Sequence, residues 1–155
     1  MIEPQASQQT PSSDKEFKFS QSAGENRPRN WAQGRRALIV EDETLVGWHL
    51  ESVLQQLGLE VLEIVSTGEE AIAEAIGAKP DIVFMDINLS GPMDGVEAAR
   101  RILERLSVPI VFVTAYADDE AALGRIRAIQ ENEIVVGKPA TPIAIEAALR
   151  RIESD

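Results

Sequence analysis

Five side chains that can do chemistry lie at the ends of predicted strands or directly after them. Glu41 and Asp42 end the first apolar run, Asp86 ends the third, and Thr114 ends the fourth. Lys138 comes just after the fifth run. In a parallel sheet the carboxyl ends of all strands share one edge, so side chains almost a hundred positions apart can converge there. The sequence therefore predicts one polar cluster at this edge.

The residue types of this cluster indicate phosphoryl chemistry. Carboxylates held close together repel one another, which raises their pKa values unless a cation neutralises them. Oxygen ligands alone favour a hard ion such as Mg²⁺, which takes one or two carboxylates and keeps waters that a phosphate can replace. One carboxylate could then attack a phosphorus centre and form an aspartyl-phosphate. A lysine and a hydroxyl directed at the phosphoryl oxygens would supply the positioning and charge neutralisation that this transfer needs.

Strand and helix patterns alternate along the chain from Arg36 onward. Short apolar runs predict strands, and apolar residues at helical spacing predict helices between them. The predicted strands are 37–41, 59–64, 81–86, 109–114 and 134–136, and the predicted helices are 42–58, 67–78, 93–106, 118–129 and 141–153. This alternation predicts an α/β fold with a five-stranded parallel sheet and helices on both faces.

The charge of the chain is unevenly distributed. The net charge is −11, and the first 36 residues hold six basic and four acidic side chains, so the remaining residues carry −13. So acidic a body repels phosphate backbones, and we expect no nucleic-acid partner. No apolar run approaches the length of a membrane span and the N-terminus lacks a signal-peptide pattern, so we expect a cytoplasmic protein with no membrane partner.

The composition divides the chain into two parts. Residues 1–35 are rich in Gln, Ser, Asn, Pro and Gly, and they cannot bury enough apolar surface to offset their ordering entropy. We expect a disordered leader over residues 1–35 and one folded domain over residues 36–155. Because the last predicted helix reaches almost to Asp155, we expect no attached output domain.

Four motifs resemble the receiver domain of bacterial two-component response regulators. They are VED at 40–42, FMDINLSGPMDG at 84–95, VTA at 113–115 and the Lys138-Pro139 pair. Each motif alone is common, but all four in this order and at these separations are specific. The resemblance covers residues 37–153 and implies a flavodoxin-like (βα)5 fold with strand order 2-1-3-4-5.

The resemblance implies a phosphoacceptor and a metal site. Asp86 would accept the phosphoryl group and would also contact Mg²⁺. Three further groups would complete the metal site: the carboxylate of Asp42 as a direct ligand, Glu41 largely through water, and the backbone carbonyl of Asn88.

The resemblance also implies partners. The phosphoryl donor would be a phosphohistidine on a histidine kinase or a phosphotransfer protein. Thr114 and Lys138 would each bind a phosphoryl oxygen, and the phosphorylated chain would bind a downstream protein target. The protein would catalyse its own phosphorylation and dephosphorylation without being a conventional enzyme, and a homodimer that forms on phosphorylation is left open.

The sequence departs from the family pattern at several positions, and the departure at Val135 affects the expected readout. Receivers usually carry Tyr or Phe three residues before the lysine, and here that position is Val135. The loop after the phosphoacceptor is one residue longer than the commonest version, and Ser90 stands where Pro is frequent. Our hypothesis is that Thr114 still turns toward the phosphoryl group. The readout would then run through the Ala115–Asp119 loop and the fourth helix, with Tyr116 as the moving ring.

Other interpretations of these residues stay open from the sequence. Asp42 could be only a helix N-cap, Glu41 a solvated charge and Asp86 a strand-end turn former. A phosphatase resembling the haloacid dehalogenase superfamily also uses an Asp nucleophile, Mg²⁺, Thr and Lys, but its nucleophile ends the first strand. The third alternative is a receiver relative that binds partners without phosphorylation. Val135 favours this last alternative, and the intact set of site residues argues against it.

Overall fold

The computed structural model describes residues 30–154, so most of the leader predicted over residues 1–35 lies outside the described residues. Five strands alternate with five helices in the described part. They are β1 (Arg36–Val40), α1 (Thr44–Gln56), β2 (Glu60–Val65), α2 (Gly68–Ala78), β3 (Ile82–Asp86), α3 (Gly95–Leu103), β4 (Ile110–Thr114), α4 (Glu120–Ile129), β5 (Val135–Gly137) and α5 (Pro142–Ser154). Every predicted element is present, with ends that differ by up to three residues.

The five strands form one parallel sheet in the order β2-β1-β3-β4-β5, which confirms the predicted 2-1-3-4-5 order. The register aligns the carboxyl ends of the central strands. Val40 lies opposite Met85, Asp86 lies opposite Val113, and Thr114 lies opposite Gly137. The polar residues at these ends are therefore brought to one edge of the sheet.

The apolar runs of the central strands are buried on both faces. Every residue of β3 and β4 is buried, as the unbroken apolar runs predict. Phe84 belongs to the apolar cluster beneath α1 and α5, and its neighbour Met85 belongs to the cluster beneath α2, α3 and α4. Helices thus cover both faces of the sheet, and this packing fixes the position of the carboxyl edge.

Side-chain caps define where four helices begin, and the Thr141 hydroxyl caps α5 by accepting from the Ala144 N–H. The other three caps are at α2, α3 and α4. Thr67, Asp94 and Asp119 each accept a hydrogen bond from a backbone N–H in the first turn of the helix that follows. The cap at Asp94 explains why α3 begins at Gly95 and not at residue 93 as predicted. Among residues 30–154, no helix combines the length and apolarity needed to cross a bilayer.

The packed part of the chain includes residues that composition assigned to the leader. Residues 31–34 form a turn, Ala32 is buried and Trp31 packs against the cluster beneath α1 and α5. The guanidinium of Arg35 lies 4.7 Å from the centre of the Trp31 ring. Trp31 and Ala32 are only two apolar residues in a polar stretch, so the composition of residues 1–35 does not reveal that they pack against the domain.

Candidate functional site

Three carboxylates converge at the carboxyl edge of β1 and β3. Glu41 and Asp42 follow directly after β1, and Asp86 is the last residue of β3, which pairs with β1 in parallel. Each of the three residues offers one carboxylate oxygen within 4.8 Å of the other two. Glu41 and Asp86 are buried, whereas Asp42 is half-buried. The predicted convergence of these acids is therefore present in the structure.

The Lys138 ammonium joins two of these acids. Its Nζ lies 2.8 Å from Oε1 of Glu41 and 3.2 Å from Oδ2 of Asp86. The Lys138 backbone N–H donates a hydrogen bond of 2.8 Å to the carbonyl of Thr114, which ties the lysine to the end of β4. Only 16% of the lysine side chain is exposed, so solvent screens these contacts weakly.

The electrostatics of the cluster leave an excess of negative charge. Burial raises the pKa of Glu41 above its usual value, although hydrogen bonds from Lys138 and from the Glu43 N–H act to lower it. Burial acts to lower the pKa of Lys138, but its contacts with Glu41 and Asp86 outweigh burial and raise it. The cluster thus holds three carboxylates, and one ammonium contacts two of them. This all-oxygen donor set fits a divalent hard cation such as Mg²⁺.

The orientations of Asp42 and Glu41 argue against the simpler explanations of this pair. The N-cap of α1 is Glu43, and no side chain caps that helix end. The Asp42 carboxylate instead accepts a hydrogen bond of 2.7 Å from the Ser90 hydroxyl. Glu41 is buried, and its second oxygen accepts from the Glu43 N–H. Asp42 is thus not a helix cap, and Glu41 is not a solvated charge.

The loop after β3 is packed closely against Asp86. The Asn88 backbone N–H donates to Oδ1 of Asp86 over 3.2 Å, and the Gly95 N–H donates to the carbonyl of Ile87 over 2.7 Å. A Cβ atom at Gly95 would collide with the carbonyl oxygen of Asp86. Gly95 therefore allows α3 to start directly against the backbone of Asp86.

The residues assigned to the switch lie on the β4 and β5 side of the edge. Thr114 is buried, and its hydroxyl oxygen accepts a hydrogen bond of 3.1 Å from the Tyr116 backbone N–H. Ala115 is exposed, and the side chain of Tyr116 is 63% exposed. Val135 is half-buried against the cluster beneath α2, α3 and α4. Thr114 therefore links the acidic site to the residues assigned to the switch, because its carbonyl binds the Lys138 N–H and its hydroxyl binds the Tyr116 N–H.

Two residues of the site have no role that the sequence predicts. In the sequence, Ser90 stands out only as a departure from a frequent proline, and Gly95 only as the last residue of the 84–95 motif. The hydroxyl of Ser90 reaches a carboxylate 48 positions earlier in the chain. The close approach at Gly95 depends on how α3 packs against β3. In the sequence, the one signal for this close approach is a glycine directly after an aspartate that can cap a helix, Asp94-Gly95.

The fold agrees with a comparison against known families. The family model of the response regulator receiver domain matches residues 37–150. This chain belongs to the response regulator receiver family. The predicted resemblance is thereby confirmed. In the structure, Asp86 is the last residue of the third strand. A haloacid dehalogenase nucleophile would end the first strand instead.

Similar proteins include other receivers. The phyllosphere-induced regulator PhyR of Methylorubrum extorquens is 31% identical over 113 residues, which cover 72% of this chain and 41% of PhyR. The solved receiver domain of a modulated diguanylate cyclase from Desulfovibrio desulfuricans is 32% identical, with a TM-score of 0.67 over 79% of this chain and 98% of that domain. The solution structure of the Erythrobacter litoralis PhyR receiver domain is 27% identical, with a TM-score of 0.65 over 79% of this chain and 92% of that one. This receiver spans less than half the length of the curated relatives it matches.

Proposed function

We propose that this receiver is the phosphoacceptor of a two-component system, in which Asp86 takes a phosphoryl group from a phosphohistidine with Mg²⁺ bound. The observation that carries the proposal is the contact of the Lys138 ammonium with both Glu41 and Asp86. A largely buried lysine placed against two carboxylates, beside a third, supplies the charge balance that phosphoryl transfer requires.

In the proposed step a carboxylate oxygen of Asp86 attacks the phosphorus of the donor. The new O–P bond forms as the P–N bond to the donor imidazole breaks, and that electron pair returns to the imidazole nitrogen. In the structure the Lys138 ammonium pairs with Asp86. It would pair with a phosphoryl oxygen once the negative charge passes from the Asp86 carboxylate to the phosphoryl group. Its raised pKa keeps it ionised at neutral pH. Thr114 accepts from the Tyr116 N–H, so its own hydroxyl proton is available to a phosphoryl oxygen.

The acidic cluster would hold the metal ion. Asp42 and Asp86 would be direct ligands, Glu41 would act largely through water, and Asn88 would contribute its backbone carbonyl. When bound, the ion would neutralise the phosphoryl oxygens and orient them for in-line attack. The hydrogen bond from Ser90 leaves the other oxygen of Asp42 available for this purpose.

The readout is proposed to begin at Thr114. If its hydroxyl turns toward the phosphoryl group, the bond from the Tyr116 N–H must change, and the exposed Tyr116 ring can move without disturbing the core. The change would then pass through the Ala115–Asp119 loop to α4. Histidine kinases or phosphotransfer proteins as donors, a downstream protein target and a cytoplasmic location are proposed from family membership. A homodimer that forms on phosphorylation is left open.

The proposal is tested by incubating the protein with acetyl phosphate and Mg²⁺ and measuring the intact mass. We expect the gain of one phosphoryl group, a strong dependence on Mg²⁺, and no gain in Asp86→Asn. Asp81→Asn is the matched control, because Asp81 precedes the same strand at its opposite end. A gain that persists in Asp86→Asn would contradict the assignment.

A second candidate is a receiver that binds partners without being phosphorylated. Val135 favours it, because no ring lies at that position to follow the Thr114 hydroxyl. The same experiment separates the two candidates. No mass gain with acetyl phosphate, and none with a phosphorylated kinase domain, would favour the binding module.

A further inference from the structure

Helix α4 is held to the domain by few buried contacts. Ile126 is its one fully buried residue, and Ala122 and Ile129 pack only partly against the apolar cluster beneath it. Gly124, in the middle of the helix, has open space where a Cβ would lie. A helix with so little buried area moves readily, so individual polar contacts can determine its position.

One ion pair ties α4 to the start of α3. Arg125 places Nη1 2.7 Å from Oδ2 of Asp94 and Nη2 3.0 Å from Oδ1, a two-point contact. The other ion pairs of residues 30–154 lie inside one helix, between a helix and the residues that directly follow it, or within the acidic site. In that part of the chain, Arg125–Asp94 is thus the ion pair that joins two helices. The planar guanidinium fixes both distance and angle.

Asp94 is held close to the backbone of Asp86 by its neighbour Gly95. Its Oδ1 caps α3 by accepting from the Glu97 N–H over 2.9 Å. Its neighbour Gly95 donates to the Ile87 carbonyl and packs on the Asp86 carbonyl with no room for a Cβ. Burial acts to raise the pKa of Asp94, but the bonds from Arg125 and the Glu97 N–H outweigh it and hold this pKa below its usual value. The carboxylate is therefore charged and paired at neutral pH.

We propose that Arg125 is a positioning residue that couples α4 to the loop after Asp86 through Asp94. The ion pair holds α4 against α3 while Asp86 carries no phosphoryl group, and the rearrangement of the loop around a phosphoryl group weakens it. This coupling rests on the proposed phosphorylation of Asp86. It acts beside the route through Thr114 and Tyr116, and it gives the chain a connection to α4 that needs no aromatic residue at Val135.

The test compares Arg125→Gln with the wild type, using Mg²⁺ and beryllofluoride as the phosphoryl mimic. Without the mimic, we expect amide exchange across residues 120–129 to rise about two- to fivefold, the range that the loss of one exposed ion pair produces. With the mimic bound, we expect exchange equal to that of the wild type. Because coupling between two sites is reciprocal, the apparent affinity for beryllofluoride should rise by a similar factor.

Two variants serve as controls. Arg127→Gln removes a second exposed arginine of α4, whose partners Glu120 and Glu133 lie in α4 and in the loop after it. We expect it to leave beryllofluoride affinity unchanged. Arg125→Lys keeps the charge and should restore part of the wild-type behaviour. The coupling would be overturned if amide exchange across residues 120–129 of Arg125→Gln rose equally with and without the mimic while beryllofluoride affinity stayed unchanged. Arg125–Asp94 would then be only a stabilising contact.

Failure of the coupling can be distinguished from failure of the proposed function. If the wild type gains a phosphoryl group from acetyl phosphate and Arg125→Gln behaves like Arg127→Gln, the coupling alone is wrong. If the wild type neither gains a phosphoryl group nor binds beryllofluoride, the proposed function is wrong and the coupling falls with it.

Discussion

The acidic site and the region from Ala115 to Ile129 differ in how firmly their side chains are held. In the site, Glu41, Asp86 and Lys138 are largely buried, and the Lys138 ammonium contacts both carboxylates directly. In the second region, Tyr116 is exposed and α4 buries a single residue fully. Catalytic groups must be held in a fixed geometry, whereas a responding element must have two arrangements of similar free energy. The two regions are suited to these two tasks.

The largest expected effect lies in the firmly held region. Lys138→Met should slow phosphorylation by acetyl phosphate about 100-fold or more, the usual cost of removing one group that stabilises developing charge. The matched control is Lys79→Met, because Lys79 is an exposed lysine directly after α2. The rate is measured from the time course of intact mass. Equal rates for the two variants would remove Lys138 from the mechanism.

Gly95→Ala tests whether α3 must start against the backbone of Asp86. The added Cβ would collide with the Asp86 carbonyl, and rigid backbone offers little relief. We expect the free energy of unfolding to fall by about 1–3 kcal/mol, as for other overpacked sites. Urea denaturation measures this change. An unchanged midpoint would show that the loop relaxes freely.

Ser90→Ala tests the hydroxyl that binds Asp42. Residues that orient a metal ligand commonly change metal affinity by about tenfold or more, and Ser90 is exposed, so we expect about tenfold weaker Mg²⁺ binding. Calorimetric titration with Mg²⁺ measures the affinity, and Ser90→Thr should restore most of it. Identical affinities of Ser90→Ala and the wild type would show that this hydrogen bond does not position Asp42.

The smallest effect is expected in the loosely held region, with the opposite sign to that at Gly95. Gly124 lies in α4 with nothing within 4 Å of the point where a Cβ would lie, so Gly124→Ala should stabilise the helix by about 0.5–1 kcal/mol. Amide exchange across α4 should slow accordingly. Exchange that stays at the wild-type rate would mean that the helix is not loosened by its glycine.

The sequence predicted the elements and the acidic cluster because both follow from local patterns. The apolar run Ile82–Met85 indicated a buried strand, and the parallel sheet then placed Asp86 beside Glu41. The contacts Ser90–Asp42 and Arg125–Asp94 were not predicted. They join residues 48 and 31 positions apart through exposed side chains, whose orientation depends on the packed loop and on no periodic pattern.

The alternatives that single residues left open could be judged only from tertiary contacts. Asp42 has the residue type and position of a helix cap, but its carboxylate lies against Ser90. Likewise, Trp31 and Ala32 belong by composition to a polar leader and by packing to the domain. In both cases local sequence allows two environments, and the contacts made in the folded chain select one of them.

The central claim is that Asp86 itself carries the phosphoryl group. The most direct test is peptide mapping by mass spectrometry of the protein after reaction with acetyl phosphate and Mg²⁺. We expect the modification in the peptide that contains Asp86. We expect no modification when Mg²⁺ is chelated before acetyl phosphate is added. A phosphoryl group that maps to Asp42, to His49 or to any other residue would contradict this account.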